Sequence, residues 1–407
     1  MQLTSRALRI HTIAALALAL LLVGSASADS GVGVAATLFH EEGGPLDMTV
    51  LTPSARAAVD FGDAVGVHAG WEADIVTGAS VAVVDAPSGD VDAITSATQL
   101  TDMRNAFRGG LELRGDLATV RADYQYAFEN DYRSHSFSIG ARTELFERNT
   151  AFDITYGRGF DSVCDLEQPR AQEAVDRKRL PSSDGCFSAD DRTDHDISLQ
   201  TIQGAWTQAW TPLLATQLST TLQLVNGFQS NPYRAVWIGR TAAQEHHPET
   251  RVRYALGLGV NYWLKPLSGA IQAFGRVYRD TWDVRSITAE LAYEQSIAAG
   301  LRVRARGRWY SQTGAAFYSD DYARLPMGQY FTGDRELSPM QTITLGGKLT
   351  WSVPASEEGA VLGFMTTLDL YVKADWIGYS FDEFHYAQAR VPNQDAIMLT
   401  GGLEAVF

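Results

Sequence analysis

Leu301-Arg302-Val303-Arg304-Ala305-Arg306-Gly307-Arg308-Trp309-Tyr310-Ser311-Gln312 alternates two kinds of side chain without a slip. Leu301, Val303, Ala305, Gly307 and Trp309 share one parity; Arg302, Arg304, Arg306, Arg308, Tyr310 and Gln312 share the other. Successive side chains of a β-strand point to opposite faces, so this period of two lines up the arginines behind an apolar strip. A helix would scatter them around its circumference. In a soluble sandwich the apolar face is core and the arginines meet water; in a membrane barrel the apolar face meets lipid and the arginines line the lumen. The remainder of the chain discriminates between the two.

The first 28 residues carry Arg6, Arg9 and His11, an apolar run from Ile13 to Val23, and the small-residue site Ala26-Ser27-Ala28. This pattern predicts a secretory signal peptide over 1–28, cleaved before Asp29, with residues 29–407 as the exported domain. The apolar run is too short to span a bilayer, and no later run reaches the roughly 18 uninterrupted apolar residues that a spanning helix needs. Export removes two arginines and no acid from 33 basic and 48 acidic residues, leaving a formal charge of −17. Such acidity speaks against nucleic acid and anionic surfaces as partners. Cys164 and Cys186 lie in a stretch rich in Asp, Ser and Pro. In an oxidising compartment they are expected to form a disulfide that pins a long loop. Free thiols are uncommon there, and no CxxC spacing or second cysteine pair supports a redox or zinc site.

Reading the alternation along the chain gives sixteen segments, at 31–41, 47–61, 64–77, 102–114, 117–130, 134–146, 150–161, 194–211, 214–225, 250–263, 269–282, 285–297, 301–312, 340–353, 361–377 and 395–407. The segment at 194–211 changes phase near Gly204, which suggests a bulge. Links at Gly62, Gly115, Glu147, Pro212, Lys265, Ala298 and Pro354 are short, and each follows an even-numbered segment. The long links, at 78–101, 162–193, 226–249, 313–339 and 378–394, all follow odd-numbered ones. Outer-membrane barrels keep short turns on the periplasmic side and long loops outside, so the parity predicts a barrel with both termini periplasmic.

Apolar positions recur in period two elsewhere. Val65, Val67, Ala69, Trp71 and Ile75 alternate with His68, Glu72 and Asp74; Leu368, Leu370, Val372 and Trp376 alternate with Asp369, Tyr371, Lys373 and Asp375. Ionised groups facing hydrocarbon are costly, so the charged parity belongs inside. With sequential pairing, Arg302, Arg304, Arg306 and Arg308 lie beside Glu290 and Glu294, with Arg276 and Asp280 one strand further on. These charges either neutralise one another and hold strand register, or form a constriction that orders an anionic solute.

Chemistry outside the lumen is sparse. Glu245, His246, His247 and Glu249 do not have zincin spacing. Asp190, Asp191, Asp194 and Asp196 lack the Gly and terminal Glu of a calcium loop. No GxSxG elbow and no CxxCH haem site occurs. The expectation is therefore no resident metal or cofactor and no catalytic site, with a surface enzyme as the weakest reading.

At the far end Ile397, Leu399, Gly401, Leu403, Ala405 and Phe407 share one parity. A final amphipathic strand ending in Phe407 resembles the signal read by the assembly machinery of Gram-negative outer-membrane barrels, which implies that machinery and outer-membrane lipid as partners. The expected rim segments Asn231-Pro232-Tyr233-Arg234, His247-Pro248-Glu249-Thr250-Arg251-Val252-Arg253, Tyr278-Arg279-Asp280-Thr281-Trp282 and Arg308-Trp309-Tyr310-Ser311-Gln312 through Tyr318, taken with Trp71-Glu72-Ala73-Asp74, resemble an uncharacterised family of such barrels, a domain of unknown function. The resemblance implies an all-β transmembrane fold in the outer membrane, a periplasmic or lipoprotein partner, and a link to envelope redox chemistry. The expected function is a porin-like channel or binding barrel for small polar or charged solutes, with a scaffold barrel of an envelope complex as the alternative.

Overall fold

In the computed structural model sixteen antiparallel strands close into one barrel. They are β1 Gly31–Glu42, β2 Met48–Phe61, β3 Val65–Gly78, β4 Leu100–Arg114, β5 Thr119–Phe128, β6 Tyr132–Leu145, β7 Thr150–Leu166, β8 Arg192–Thr211, β9 Leu214–Gly227, β10 Thr250–Leu264, β11 Gly269–Asp280, β12 Arg285–Ala298, β13 Leu301–Gln312, β14 Met340–Ser352, β15 Thr367–Phe381 and β16 Gln394–Val406. The structure describes residues 30–407 except 43–47, 79–83, 86–90, 93–99, 167–185, 191, 232–234, 239–240, 320–327, 354–360, 362–364, 387–388 and 391–393. The expected signal peptide lies outside the described residues. Each strand pairs with its neighbours in sequence, and β1 closes the ring on β16 from Gly31↔Val406 to Glu42↔Asp395. No helix among the described residues is long and apolar enough to cross a membrane.

Period two explains the two surfaces. On β10, Tyr254, Leu256 and Leu258 point outward and stay 48–52% exposed, while Arg251, Arg253, Ala255 and Gly257 point inward. The same outward strip continues through Ile287 and Leu291 of β12, Val303 and Trp309 of β13, Leu345 and Leu349 of β14, and Val372 of β15. An apolar surface of this extent is foreign to soluble monomers, and a closed ring leaves no backbone edge unpaired.

The links after even-numbered strands are mostly tight; at Gly300 φ is +73° and a Cβ would meet Ser352 O at 2.3 Å, so only glycine fits that turn. The first described residue and the last meet at this short-link rim, where the Phe407 amide donates to Ser30 O at 2.8 Å. The opposite rim carries the long links. They include a small hairpin pairing Ala235–Ile238 with Thr241–Gln244 and a 3-10 turn at Arg335–Leu337. The packed apolar clusters sit under these links, not at mid-barrel: Met48 with Val50 and Val76, Trp282 with Val284, Ala315 and Leu337, and Met340 with Phe381 and Phe384.

Three sequence expectations are corrected. The 361–377 segment is β15 at Thr367–Phe381, while Val361 only bridges to Met365, so the link at 353–366 is the longest on its rim. The register of β8 runs through Gly204 unbroken and slips between Ala209 and Thr211 instead. The apparent phase change has another cause: Ile197 and Leu199 face inward near the long-link rim while Ser198 and Gln200 face out, above the apolar band. The strand predicted to end at Trp282 stops at Asp280, and Trp282 turns into the mouth.

Candidate functional site

The arginine strand does line the lumen, and its neighbours determine what it faces. Arg302 Nη2 lies 3.3 Å from Asp369 and its Nη1 3.9 Å from Glu294. Glu290 is shared, 3.7 Å from Arg304 Nη2 and 3.7 Å from Arg306 Nη1, and Arg306 Nε donates to Asp375 Oδ1 at 2.8 Å. Arg308 faces the same lumen opposite Glu290, is exposed, and makes no ion pair among the described residues. Among the described residues Arg276 meets only the Tyr278 ring, at 5.9 Å. Asp280 belongs with the rim. It accepts from Arg251 at 2.5 Å, from Tyr278 at 2.7 Å and from the amides of Trp282 and Val284.

Sequence reasoning missed what lies on the far flank of the ladder. At one height Glu294, Arg304, Lys348 and Lys373 are direct partners across β12, β13, β14 and β15. Lys373 reaches Asp375 at 2.9 Å; Lys348 sits 4.3 Å over the Tyr371 ring and finds no carboxylate among the described residues. Like charges placed directly opposite repel by on the order of 1 kcal/mol. Between β11 and β15, below the rim, Arg276, Arg302, Arg304, Arg306, Arg308, Lys348 and Lys373 thus meet only Glu290, Glu294, Asp369 and Asp375. That wall is net cationic. Both lysines were visible on the polar parity of their strands; their adjacency to Arg304 follows from register, which a single strand does not reveal.

The wall across the ring is more nearly balanced. A cavity of about 530 Å3 lies against β1 to β4, over Gly33, Ala35, Gly70 and Ala106. Around it Arg56 meets Glu404 at 2.5 Å, His68 meets Asp123 at 2.6 Å, and Arg108 donates to Gln125 at 2.8 Å. Arg114 joins Asp60 and Glu112 nearer the short-link rim.

The mouth is built from two links that meet. His246 and Phe331 form a backbone bridge, and Thr332 donates to Glu245 at 2.8 Å. Glu245 also accepts from the Asn231 amide at 2.9 Å and lies 3.3 Å from buried His247. His247 packs against Trp282 and Phe317, and Arg251 stacks on Trp282 at 4.1 Å. Gln312 donates to Glu336 O and Ser338 O at 2.8 Å each, and Tyr310 bonds Gln312. Tyr318 donates to Glu383 O. Arg253, the cross-strand partner of Asp280, faces inward just below the mouth and donates to Gln223 at 2.9 Å. Pro232, Tyr233 and Arg234 lie outside the described residues.

The deepest anchor of the mouth is Arg335. It reaches from the β13–β14 link to Glu41 at 2.5 Å, to Gln394, and to Glu336 at 3.3 Å, over the Phe381 and Tyr379 rings. Burial works against its charge, but Glu336 and Glu41 outweigh that penalty and hold its pKa above the ordinary arginine value. No local pattern announced this contact.

Cys164 and Cys186 form a disulfide, and the amides of both donate to the β5–β6 turn, at Asp131 O and Asn130 O. Among the described residues no three His, Cys, Asp or Glu side chains come together to hold a metal ion.

Residues 6–374 match the model of a family described as Protein of unknown function (DUF3570). No curated protein matches the chain. Among solved structures, a bacterial polysaccharide outer membrane secretin is similar at TM-score 0.49 and 9% identity, covering 94% of this chain and 100% of that one. The siderophore receptor PirA from Acinetobacter baumannii is similar at TM-score 0.48 and 8% identity, over 93% of this chain and 60% of the receptor. OprD from Pseudomonas aeruginosa is similar at TM-score 0.42 and 9% identity, over 94% and 96%.

Proposed function

We propose, from a chain that belongs to the DUF3570 family of proteins of unknown function, an outer-membrane barrel whose lumen passes or binds small polar or charged solutes and prefers anions. Membrane placement is supported by the closed ring and its continuous apolar outer strip, which a bilayer accommodates and water does not. The long-link rim then faces outside and the chain termini face the periplasm. Sixteen strands enclose a channel wide enough for water unless links fill it.

The observation that carries the anion preference is the row Arg304, Lys348 and Lys373, three neighbouring cations served by fewer carboxylates than they need. An anion entering that wall relieves the mutual repulsion, whereas a cation adds to it. Rings of fixed positive charge select anions in this way.

The test is single-channel recording in a planar bilayer under a salt gradient. Replacing Arg304 and Arg306 with Ser strands Glu290, leaves Asp375 with Lys373 alone, and moves the reversal potential toward cations. An unchanged reversal potential in the double variant counts against the reading. The packing of residues 328–339 into the mouth favours a second reading, a scaffold barrel for an envelope complex. A correctly folded barrel that stays silent and copurifies with a periplasmic or lipoprotein partner would select it.

A further inference from the structure

On the outer wall, Arg279 of β11 and Arg285 of β12 are direct cross-strand partners at the long-link rim. Their strand neighbours Tyr278, Asp280 and Ser286 face the lumen, where Asp280 is engaged by Arg251, so both guanidiniums point away from it. Both arginines are exposed, and neither side chain has a hydrogen-bond or ion-pair partner among the described residues. The nearest acid in the connecting turn, Asp283, forms no ion pair with either. Like charges held directly opposite repel, and this pair has no internal relief.

What lies beneath the pair indicates its partner. The next outward rung is Val277 and Ile287, 51% and 53% exposed, followed by Gly275 with Ala289, Ala273 with Leu291, and Ile271 with Tyr293. The outer face therefore changes from apolar to doubly cationic in one rung. In a bilayer that boundary is where acyl chains give way to headgroup phosphates. Tyr254, exposed on the other flank of Arg279, is an amphipathic ring of the kind found at that depth.

We propose that Arg279 and Arg285 form a docking site for a phosphate-bearing lipid of the outer leaflet. Two planar guanidinium forks close on one phosphate, and an acyl chain lies along Val277, Ile287 and Leu291. The chain as a whole is acidic, which repels anions at a distance; the pair acts within a Debye length, where its own charge dominates. The inference rests on the membrane placement above and not on the anion preference of the lumen, because neither arginine faces the channel.

The experiment uses the full-length barrel, stripped of lipid in neutral detergent, with native mass spectrometry as the readout. Bis-phosphorylated lipid A, its phosphate-free counterpart and inorganic phosphate are the probes. Wild type retains the phosphorylated lipid, and Arg279→Ser with Arg285→Ser weakens retention roughly tenfold or more. The phosphate-free lipid binds both proteins weakly and alike. Equal retention of phosphorylated lipid by wild type and the double variant overturns the proposal, as does retention of the phosphate-free lipid by wild type as strong as that of the phosphorylated one. Displacement of the lipid by inorganic phosphate at the same concentration would assign the site to a free ion and also overturn it. Unchanged conductance of the double variant checks its fold. Vesicle flotation reads the membrane placement separately: a barrel that does not float sinks that reading, whereas a floating barrel without lipid preference sinks only this one.

Discussion

Arg335→Met tests whether the mouth is held by a buried ion pair. Arg335 is 2% exposed and Glu41 3%, so the substitution leaves a carboxylate dry and unpaired beside Gln394. Breaking a buried pair by removing one partner costs about 3–5 kcal/mol. The link between β13 and β14 can leave the mouth without disturbing the barrel ladder, so the cost appears as release of the link and not as global unfolding. At about 3 kcal/mol the ratio of seated to released link falls roughly hundredfold. Amide hydrogen exchange reads this directly. Ala315 donates to Leu337 O at 2.8 Å, Phe331 to His246 O at 2.9 Å and Ser338 to Arg335 O at 3.1 Å, and these amides should lose protection together. Single-channel conductance should rise or become noisier as the mouth clears. The double variant Arg335→Met with Glu41→Met strands no charge, and an apolar pair of similar volume is often neutral or better than a buried ion pair. It should restore most of the protection. Unchanged exchange at Ala315 and Phe331 in the single variant, or equal loss in single and double variants, would refute the role of the pair.

Three further outcomes follow from the geometry. Replacing Cys164 and Cys186 with Ser removes a link that closes a 22-residue separation and should cost about 3 kcal/mol, seen as faster exchange of the amides at 164 and 186 with the barrel melting transition preserved. Gly346→Ala puts a Cβ 1.8 Å from Asp375 Oδ1, so the carboxylate must leave Arg306; denaturation in vesicles should show a loss of about 1–3 kcal/mol, and the reversal potential should move further toward anions. Leu258→Arg places a charge in the middle of the outer apolar strip and should cost about 2–4 kcal/mol of folding free energy in lipid vesicles; a neutral effect there would count against a lipid-facing surface.

The barrel was legible because each strand separates an apolar outer face from a polar lumen, and that division imposes period two wherever both faces are present. It fails where one face is missing. Ile197 and Leu199 turn inward beside a water-facing Ser198, and the pattern there mimics a bulge that the register places at Ala209 instead. In the sequence Leu362 and Phe364 continue the apolar parity of Leu368, Leu370 and Val372, yet β15 begins only at Thr367, where pairing with Val406 of β16 begins. The inward face of Leu301 to Gln312 was equally legible, since four arginines cannot face lipid. Their partners were not. Glu290 and Glu294 lie one strand away and follow from sequential pairing, but Asp369 and Asp375 are two strands on, and Lys348 meets Arg304 only through the β13–β14 register, which a long link does not announce. Arg335 and Glu41, 294 residues apart, share no local signal at all. The division has a physical consequence for function. A lone arginine strand reads as a strong anion trap; the assembled wall is a weak one, because Glu290 and Asp375 take up much of the charge on Arg304 and Arg306. On the proposed channel reading, a weakly cationic wall attracts an anion and still releases it, as passage requires.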